Sequence, residues 1–322
     1  MNNDNIEILD FENKPKEKEK FSVIKMYGEE LVGKKYITNP AIARDKEIEK
    51  LMLVLLTPDK SALLTGKAGI GKTAIVEGLA YLIQRNEVPN ALKGYKIIKI
   101  NSTSLLGKIT IDNNEEMVIS ILMRELKDVT KTILFIDEVH TLIGGKADGP
   151  MDLANILKPA LDRGDIKAIG ATTTEEYEAY IVRDRAFLRR FLKVDVAEPD
   201  EDQCTKILLG TYPKYEKRTG VKLEYTDYLK EKIFRFIVQM TDEYKRIYEI
   251  GNRYPDVALT IVMSAFSLAS YENSPVVTMK HFYKAICRTK VVYEDAKVKE
   301  IARFKELFKD ILAEENVDLN DM

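Results

Sequence analysis

Eight consecutive residues, Gly66-Lys67-Ala68-Gly69-Ile70-Gly71-Lys72-Thr73, follow the apolar run Ser61-Ala62-Leu63-Leu64-Thr65 and precede a stretch of helical spacing. A strand that ends in Gly-x-x-x-x-Gly-Lys-Thr and runs into a helix turns successive backbone N–H groups onto one anion-sized space, with the positive end of the helix behind them. The glycines let the backbone come that close. Lys72 would reach the β- and γ-phosphates of ATP as a point charge, and the Thr73 hydroxyl would hold a Mg²⁺, which prefers hard oxygen ligands.

A second set of polar residues ends a different strand. In Thr132-Ile133-Leu134-Phe135-Ile136-Asp137-Glu138 four apolar residues in a row, without polar alternation, fit a central strand covered on both faces. Its two carboxylates would then emerge at the sheet edge where the phosphate loop also lies, which is where open α/β sheets bind ligands. Asp137 would serve the Mg²⁺, and Glu138 would orient and activate the water that attacks the γ-phosphate. The plainer alternative is two solvated charges at a strand end. Thr172, closing the next strand, Ile166 to Thr172, is placed to hydrogen-bond that water or the γ-phosphate. Arg189 and Arg190, clustered with Arg183 and Arg185, cannot easily reach a nucleotide on their own subunit's phosphate loop. They form either a solvated basic helix or an arginine finger for a neighbour's site.

The elements that must carry these groups are readable from periodicity. Helical spacing is expected from about Asp45 to Leu56, from the phosphate loop to about Arg85, over Glu115 to Lys127, and over Met151 to Arg163, where Gly164 stops it. Strands are expected at Ser61 to Thr65, Gly94 to Asn101, Thr132 to Glu138, Ile166 to Thr172 and Leu192 to Val196, while Ser102 to Asn114 reads as a polar loop. Strands alternating with helices indicate a three-layer α/β fold with a mostly parallel five-stranded sheet. Beyond Pro199 only helices are expected: Asp200 to Arg218, Thr226 to Met240, Pro255 to Tyr271 and Thr278 to Arg288. A last apolar helical face over Ala296 to Asn316 either packs on them or docks a partner. The expected division is a mobile polar leader (1–24), a large α/β nucleotide-binding domain (25–199), a small all-helical lid domain (200–290) and a C-terminal amphipathic helix with its tail (291–322).

The bulk composition bounds the partners. The 322 residues carry 50 Lys and Arg against 52 Asp and Glu, which gives no general polyanion-binding signature, so nucleic acid is not expected. Two widely separated cysteines, Cys204 and Cys287, in apolar helical patterns point to free thiols in a reducing compartment. With no apolar run of membrane-spanning length and no secretory signal pattern, a cytoplasmic protein is expected.

A longer series of motifs resembles a known family. Asn39-Pro-Ala-Ile-Ala-Arg-Asp45, the phosphate loop continued to Ala80, Glu87-Val-Pro89, Leu134 to Thr141, Gly145 to Gly149, Asn155 to Leu161, Gly170-Ala-Thr-Thr173 and Arg189-Arg-Phe191 occur in the same order and spacing as in the first ATPase module of the Clp chaperones ClpA, ClpB and ClpC. The resemblance covers roughly residues 35 to 275. It implies an AAA+ module with a helical lid, working as a homo-oligomeric ring, usually a hexamer, with ATP held between subunits. By that resemblance Ile42 would contact the adenine, Thr172 would be the first sensor, and Arg189 and Arg190 the trans-acting fingers.

Two positions depart from the pattern. The family's pore-loop tyrosine aligns with Thr110, flanked by Ile109 and Ile111, and the lid motif Arg-x-x-Pro-Asp-Lys-Ala reads Asn252-Arg-Tyr-Pro-Asp-Val-Ala258. The intact hydrolytic set implies an ATPase ring that remodels or unfolds a protein or protein assembly. The missing pore aromatic leaves open a nucleotide-gated scaffold or switch that does not thread polypeptide. A DNA-acting ATPase is the least favoured reading.

Overall fold

The computed structural model describes residues 22–111, 114–143, 166–247 and 253–317. The greater part of the expected leader, the Gly144 to Gly149 loop, the expected Met151 to Arg163 helix and Asn252 of the lid motif lie outside the described residues.

The main sheet runs β1 (Gly28–Glu30), β3 (Lys96–Asn101), β6 (Thr132–Asp137), β7 (Ile166–Thr172), β2 (Ser61–Thr65), β8 (Phe191–Asp195), in that spatial order. The five strands legible in the sequence are its parallel part. A sixth, β1, adds antiparallel to the β3 edge. Alternation along the strands explains the two-faced burial. Ile98, Leu134 and Ile136 join one apolar cluster, against the helix Val118–Glu125. Ile97, Ile133 and Phe135 join the other, against the helices Asp45–Leu56 and Lys72–Gln84. The central strands β6, β7 and β2 are therefore buried at nearly every position and read as apolar runs.

Two local features were not legible. The end of the expected polar loop and the first residues of the helix expected from Glu115 form a hairpin, β4 (Lys108–Ile111) against β5 (Asn114–Met117), with Thr110 opposite Glu115 and a Lys108–Glu115 ion pair at 3.8 Å, so the helix begins only at Val118. Ile109 packs against the large-domain core. Val23 and Ile24, assigned to the leader by composition, are anchored: the Glu125 carboxylate accepts their backbone N–H groups at 2.7 and 2.9 Å, and Val23 is fully buried.

After Ala197 and Glu198 the chain becomes helical. Asp200 caps the helix Glu201–Thr219 through a reciprocal box with Gln203, and Gly220 ends it in the left-handed conformation at φ 75°. The helices Asp227–Met240, Asp256–Tyr271 and Met279–Arg288 close a separate apolar core with it. The C-terminal segment, as helices Glu294–Leu307 and Lys309–Glu314, packs on this core. Phe304 and Phe308 lie edge-on to Phe236 with ring centroids 5.3 and 5.9 Å apart. Fully buried phenylalanines of this kind contribute roughly 1.5–3 kcal/mol each. Among the described residues no helix is long and apolar enough to cross a membrane.

Candidate functional site

The parallel register brings the polar strand ends together. Asn101 lies opposite Asp137 across β3 and β6, and Thr65 lies opposite Thr172 across β2 and β7, so four carboxyl-terminal strand ends open on one edge. There the chain leaves β2 as the phosphate loop and enters the helix Lys72–Gln84. Gly69 and Gly71 have φ of 75° and 97°, a region costly for other residues. Gly66 is needed for proximity, since a Cβ there would meet the Val196 carbonyl at 2.5 Å.

A cavity of about 710 Å³ sits over this edge, within the ~300–1,000 Å³ typical of small-ligand sites. Ala68, Gly69, Gly71, Lys72, Thr73, Asp137, Glu138 and Thr172 line it together. Other residues singled out from the sequence do not. Ile70 and Gly66 are buried, Lys67 is exposed but does not line the cavity, and Ile42 has its Cδ1 beside Gly210 while Pro40 lines the cavity.

Lys72 Nζ donates to the Gly66 and Lys67 carbonyls at 2.8 and 3.0 Å. Burial lowers its pKa, opposed by Asp137 and Glu176. Thr73 Oγ1 donates to Asp137 Oδ2 at 2.9 Å, and Lys99 Nζ lies 3.6 Å from the same oxygen. Two hard oxygens thus meet at one point beside the loop. Among the described residues no group of three His, Cys, Asp or Glu side chains forms a cage. This donor set fits Mg²⁺, which keeps several waters and is held by one or two protein oxygens together with phosphate oxygens.

Glu138 adopts φ 52°, ψ 43°, the left-handed region that a residue with a Cβ occupies at a cost of about 1–2 kcal/mol. The Thr141 N–H and hydroxyl both donate to its carbonyl at 3.0 Å and hold that turn, which leaves the Glu138 side chain exposed at the cavity. Such a strained residue directly beside the Thr73–Asp137 contact is where a reacting water would need a base.

Several residues on the site carried no assigned role in the sequence. Arg44, within the Asn39 to Asp45 motif, is almost completely buried and donates to the Ile70 carbonyl at 2.6 Å and to the Ala197 carbonyl at 2.9 Å. Lys99 and Asn101 come from β3. The helical region supplies Ile207, Thr211 and Lys214 from one helix and Asp256 from another, closing the cavity from above. Ile207, Thr211 and Lys214 recur every three or four positions, so the helical period alone places them on one face. Burial lowers the Lys214 pKa as well.

Arg189 and Arg190 are not in the cavity. Arg189 is exposed, with its carbonyl accepting from Lys60 Nζ at 2.5 Å, and the Arg190 carbonyl accepts the Ser61 N–H at 2.8 Å. Both contacts sit where β2 begins, the opposite end of the sheet from the phosphate loop.

Comparison with known proteins follows this geometry. Residues 62–194 match the ATPase family associated with various cellular activities, AAA. The chain carries an AAA domain. A probable Clp protease ATP-binding subunit of Chlamydia pneumoniae is 38% identical over 251 residues, 77% of this chain and 28% of the relative. The chaperone protein ClpB of Aquifex aeolicus is 41% identical over 223 residues, 69% of this chain and 21% of the relative. Among solved structures, the S. cerevisiae Hsp104:casein complex superposes with a TM-score of 0.67 at 32% identity, covering 83% of this chain and 45% of that one. The AAA domain here thus resembles an ATPase module of the Clp chaperones, and the chain spans about a quarter of the length of these curated relatives.

Proposed function

We propose that this chain is an ATP-hydrolysing, Clp-like AAA+ module that assembles into a homo-oligomeric ring, by analogy a hexamer, and remodels or unfolds a protein or protein assembly. One observation carries the reading: Lys72, Thr73, Asp137, Glu138 and Thr172, from three separate segments, line a single cavity closed by the helical region. In this reading the loop N–H groups from Gly69 to Thr73 and the Lys72 ammonium bind the phosphates. Thr73 and Asp137 would hold Mg²⁺. Bound there, Mg²⁺ would neutralise phosphate charge as the γ-phosphoryl group transfers. Glu138 takes a proton from the attacking water, and Thr172 helps to hold that water. Arg189 and Arg190, facing away from their own cavity, would complete a neighbouring subunit's site. Ile42, seated against Gly210, would contact the base.

The protein substrate is supported by the neighbour Hsp104, which was solved with casein. Free cysteines in apolar surroundings agree with a cytoplasmic setting. The test is the ATPase rate per subunit across a protein-concentration series, with and without an unfolded polypeptide. A rate rising with concentration and again with polypeptide is expected, and Glu138→Gln is expected to lower it by at least about 100-fold. A flat, polypeptide-independent rate would sink the remodelling ring, and unchanged turnover in Glu138→Gln would remove the assigned base.

A nucleotide-gated switch that does not thread polypeptide is favoured by one specific feature. In the hairpin that aligns with the Clp pore loop, Thr110 stands where the aromatic would be and Ile109 is packed inward. Alanine at Ile109, Thr110 and Ile111 together then leaves remodelling of the partner assembly intact, whereas loss of it would restore threading.

A further inference from the structure

Glu176 does nothing in the reading so far, yet it lines the same cavity. Its Oε2 gathers three groups. The Thr173 N–H donates to it at 2.9 Å, the Thr172 hydroxyl donates to it at 3.2 Å, and His140 Nδ1 lies 3.1 Å away. His140 Nδ1 is also 3.2 Å from Thr172 Oγ1, and its ring is stacked on Tyr180 with centroids 6.1 Å apart. The Glu176 N–H in turn donates to Thr173 Oγ1 at 3.1 Å, so a reciprocal capping box fixes the carboxylate at the end of β7.

We infer that Glu176 is a positioning residue that sets which way the Thr172 hydroxyl points. This inference rests on the ATPase reading of the site. An ionised carboxylate can only accept. Burial alone would raise the Glu176 pKa, but the Thr173 N–H and hydroxyl, the nearby His140 and the Thr172 hydroxyl outweigh it and hold the group below the ordinary glutamate value. Facing the same carboxylate oxygen, His140 Nδ1 carries its own hydrogen and does not take that of Thr172. With its hydrogen committed to Glu176, Thr172 keeps an oxygen lone pair for the cavity. It then serves the attacking water as an acceptor. Glu138 takes one hydrogen of that water and Thr172 fixes the other, which aims the water's lone pair at phosphorus. Thr172 is accordingly not a donor to the γ-phosphate, the other role its position allows. The capping box and the reaction share one carboxylate.

The sequence hint was Thr173-x-x-Glu176, a capping-box pattern placed immediately after the strand that ends in Thr172. Nothing in the pattern alone says that the carboxylate has a second client. That follows from the hydrogen bond to Thr172.

The test is a double-mutant cycle on the full chain with two readouts. Glu176→Ala lowers kcat about 10- to 100-fold, the usual worth of an oriented proton-transfer partner. Affinity for ADP, measured with a fluorescent analogue, changes less than about two-fold because only the water is misplaced, while affinity for ADP with fluoroaluminate, a mimic of the transferring phosphoryl group, falls by a factor similar to kcat. In a Thr172→Val background Glu176→Ala costs nothing further, and Glu176→Gln, which keeps an acceptor, recovers most of the rate. Thr173→Ala removes only the hydroxyl half of the capping box, retains the Thr173 N–H that holds Glu176 Oε2 and with it the Thr172–Glu176 bond, and keeps kcat. Equal losses in Thr173→Ala and Glu176→Ala, or a full further loss in the Thr172→Val background, overturn the inference in favour of a cap alone. Absence of any Lys72-dependent turnover in the unaltered protein would overturn the ATPase reading and the inference together, whereas robust turnover with an indifferent Glu176→Ala overturns the inference alone.

Discussion

The Arg190 carbonyl and the Ser61 N–H are hydrogen-bonded at 2.8 Å, which ties the arginine pair to the first residue of β2, whereas Lys72 lies beyond the last. A five-residue strand rises about 3.3 Å per residue, so about 15 Å of sheet separates the two ends before any side chain is counted. The arginines therefore do not reach the nucleotide of their own subunit, and Arg190 Nη1 donates to the Ala186 carbonyl of its own chain at 3.3 Å. Lys72→Ala and Arg189→Ala/Arg190→Ala chains are each expected to lose ATP turnover by at least about 100-fold. Mixing them should restore a measurable fraction, because a Lys72→Ala subunit still offers arginines to an intact loop next door. Mixtures as inactive as either parent would take the arginines out of catalysis.

Gly210 is predicted to control the base end of the cavity. A Cβ at this position would lie 1.7 Å from Ile42 Cδ1, so Gly210→Ala forces the isoleucine to a new rotamer. Overpacking of this kind costs typically about 1–3 kcal/mol. If Ile42 contacts adenine, ATP and ADP affinities should fall together by about 10-fold while Lys72 chemistry is spared. Lowered thermal stability with unchanged nucleotide affinity would take Ile42 off the base.

His281 gives the helical region a pH-dependent cap. Its Nδ1 accepts the Thr278 N–H at 2.9 Å, a role only the neutral ring can fill, and its Nε2 lies 3.6 Å from Glu272. Burial is the largest influence and lowers its pKa below the ordinary 6.5, with Lys284 and Lys280 acting the same way and Glu272 opposing. A histidine depressed in the folded state is protonated more readily in the unfolded chain, so stability is full above the ordinary value and is lost as pH falls below it. Urea unfolding followed from pH 7.5 to 5.5 should show that loss in the unaltered protein. In His281→Gln, whose amide can accept the same N–H without titrating, the loss should be smaller, with the difference inside the roughly 0.5–2 kcal/mol range of a helix cap. Identical pH profiles would remove His281 as the source.

Cys204 and Cys287 should differ in reactivity. Burial pushes the Cys204 thiol up to about 12, and the side chain is fully enclosed, so thiolate is scarce and reagents have no access. Cys287 is half-exposed. A chromogenic disulfide reagent is expected to titrate one thiol in the native protein and two after denaturation. Rapid labelling of Cys204 in the native chain would mean that the helical core opens on the labelling timescale.

The central parallel strands were legible because they are buried on both faces and read as apolar runs, as in Ile133 to Ile136, whereas β3 showed itself by alternation. The phosphate loop was legible because glycine spacing reports backbone geometry directly. What escaped depended on partners distant in sequence. β1 has three residues, Gly-Glu-Glu, with no apolar alternation, and becomes a strand only because β3 offers an unpaired edge. Val23 and Ile24 follow a charged run, and nothing nearby announces that Glu125, about a hundred residues on, will hold their N–H groups. The hairpin β4–β5 is polar on its outer side, so its sequence resembles loop. At the site, Glu176 and Lys214 were silent because a carboxylate in a cap and a lysine on a helix are ordinary until the fold brings them to one cavity.

The buried Arg44 guanidinium spans the Ile70 and Ala197 carbonyls, so it fastens the phosphate loop to the strand that leads out of the sheet. Breaking that clasp would cost two charge-assisted hydrogen bonds at a buried guanidinium, which Glu47 also pairs at 2.8 Å. The next link past the clasp is Glu198-Pro199, where the chain passes into the helical region. A tilt of the helical region would pivot there as a lever on a fulcrum set beside the nucleotide, and the Glu198 carboxylate, which accepts from Arg246 and from the Tyr254 N–H at 2.8 Å each, grips the lever's short arm.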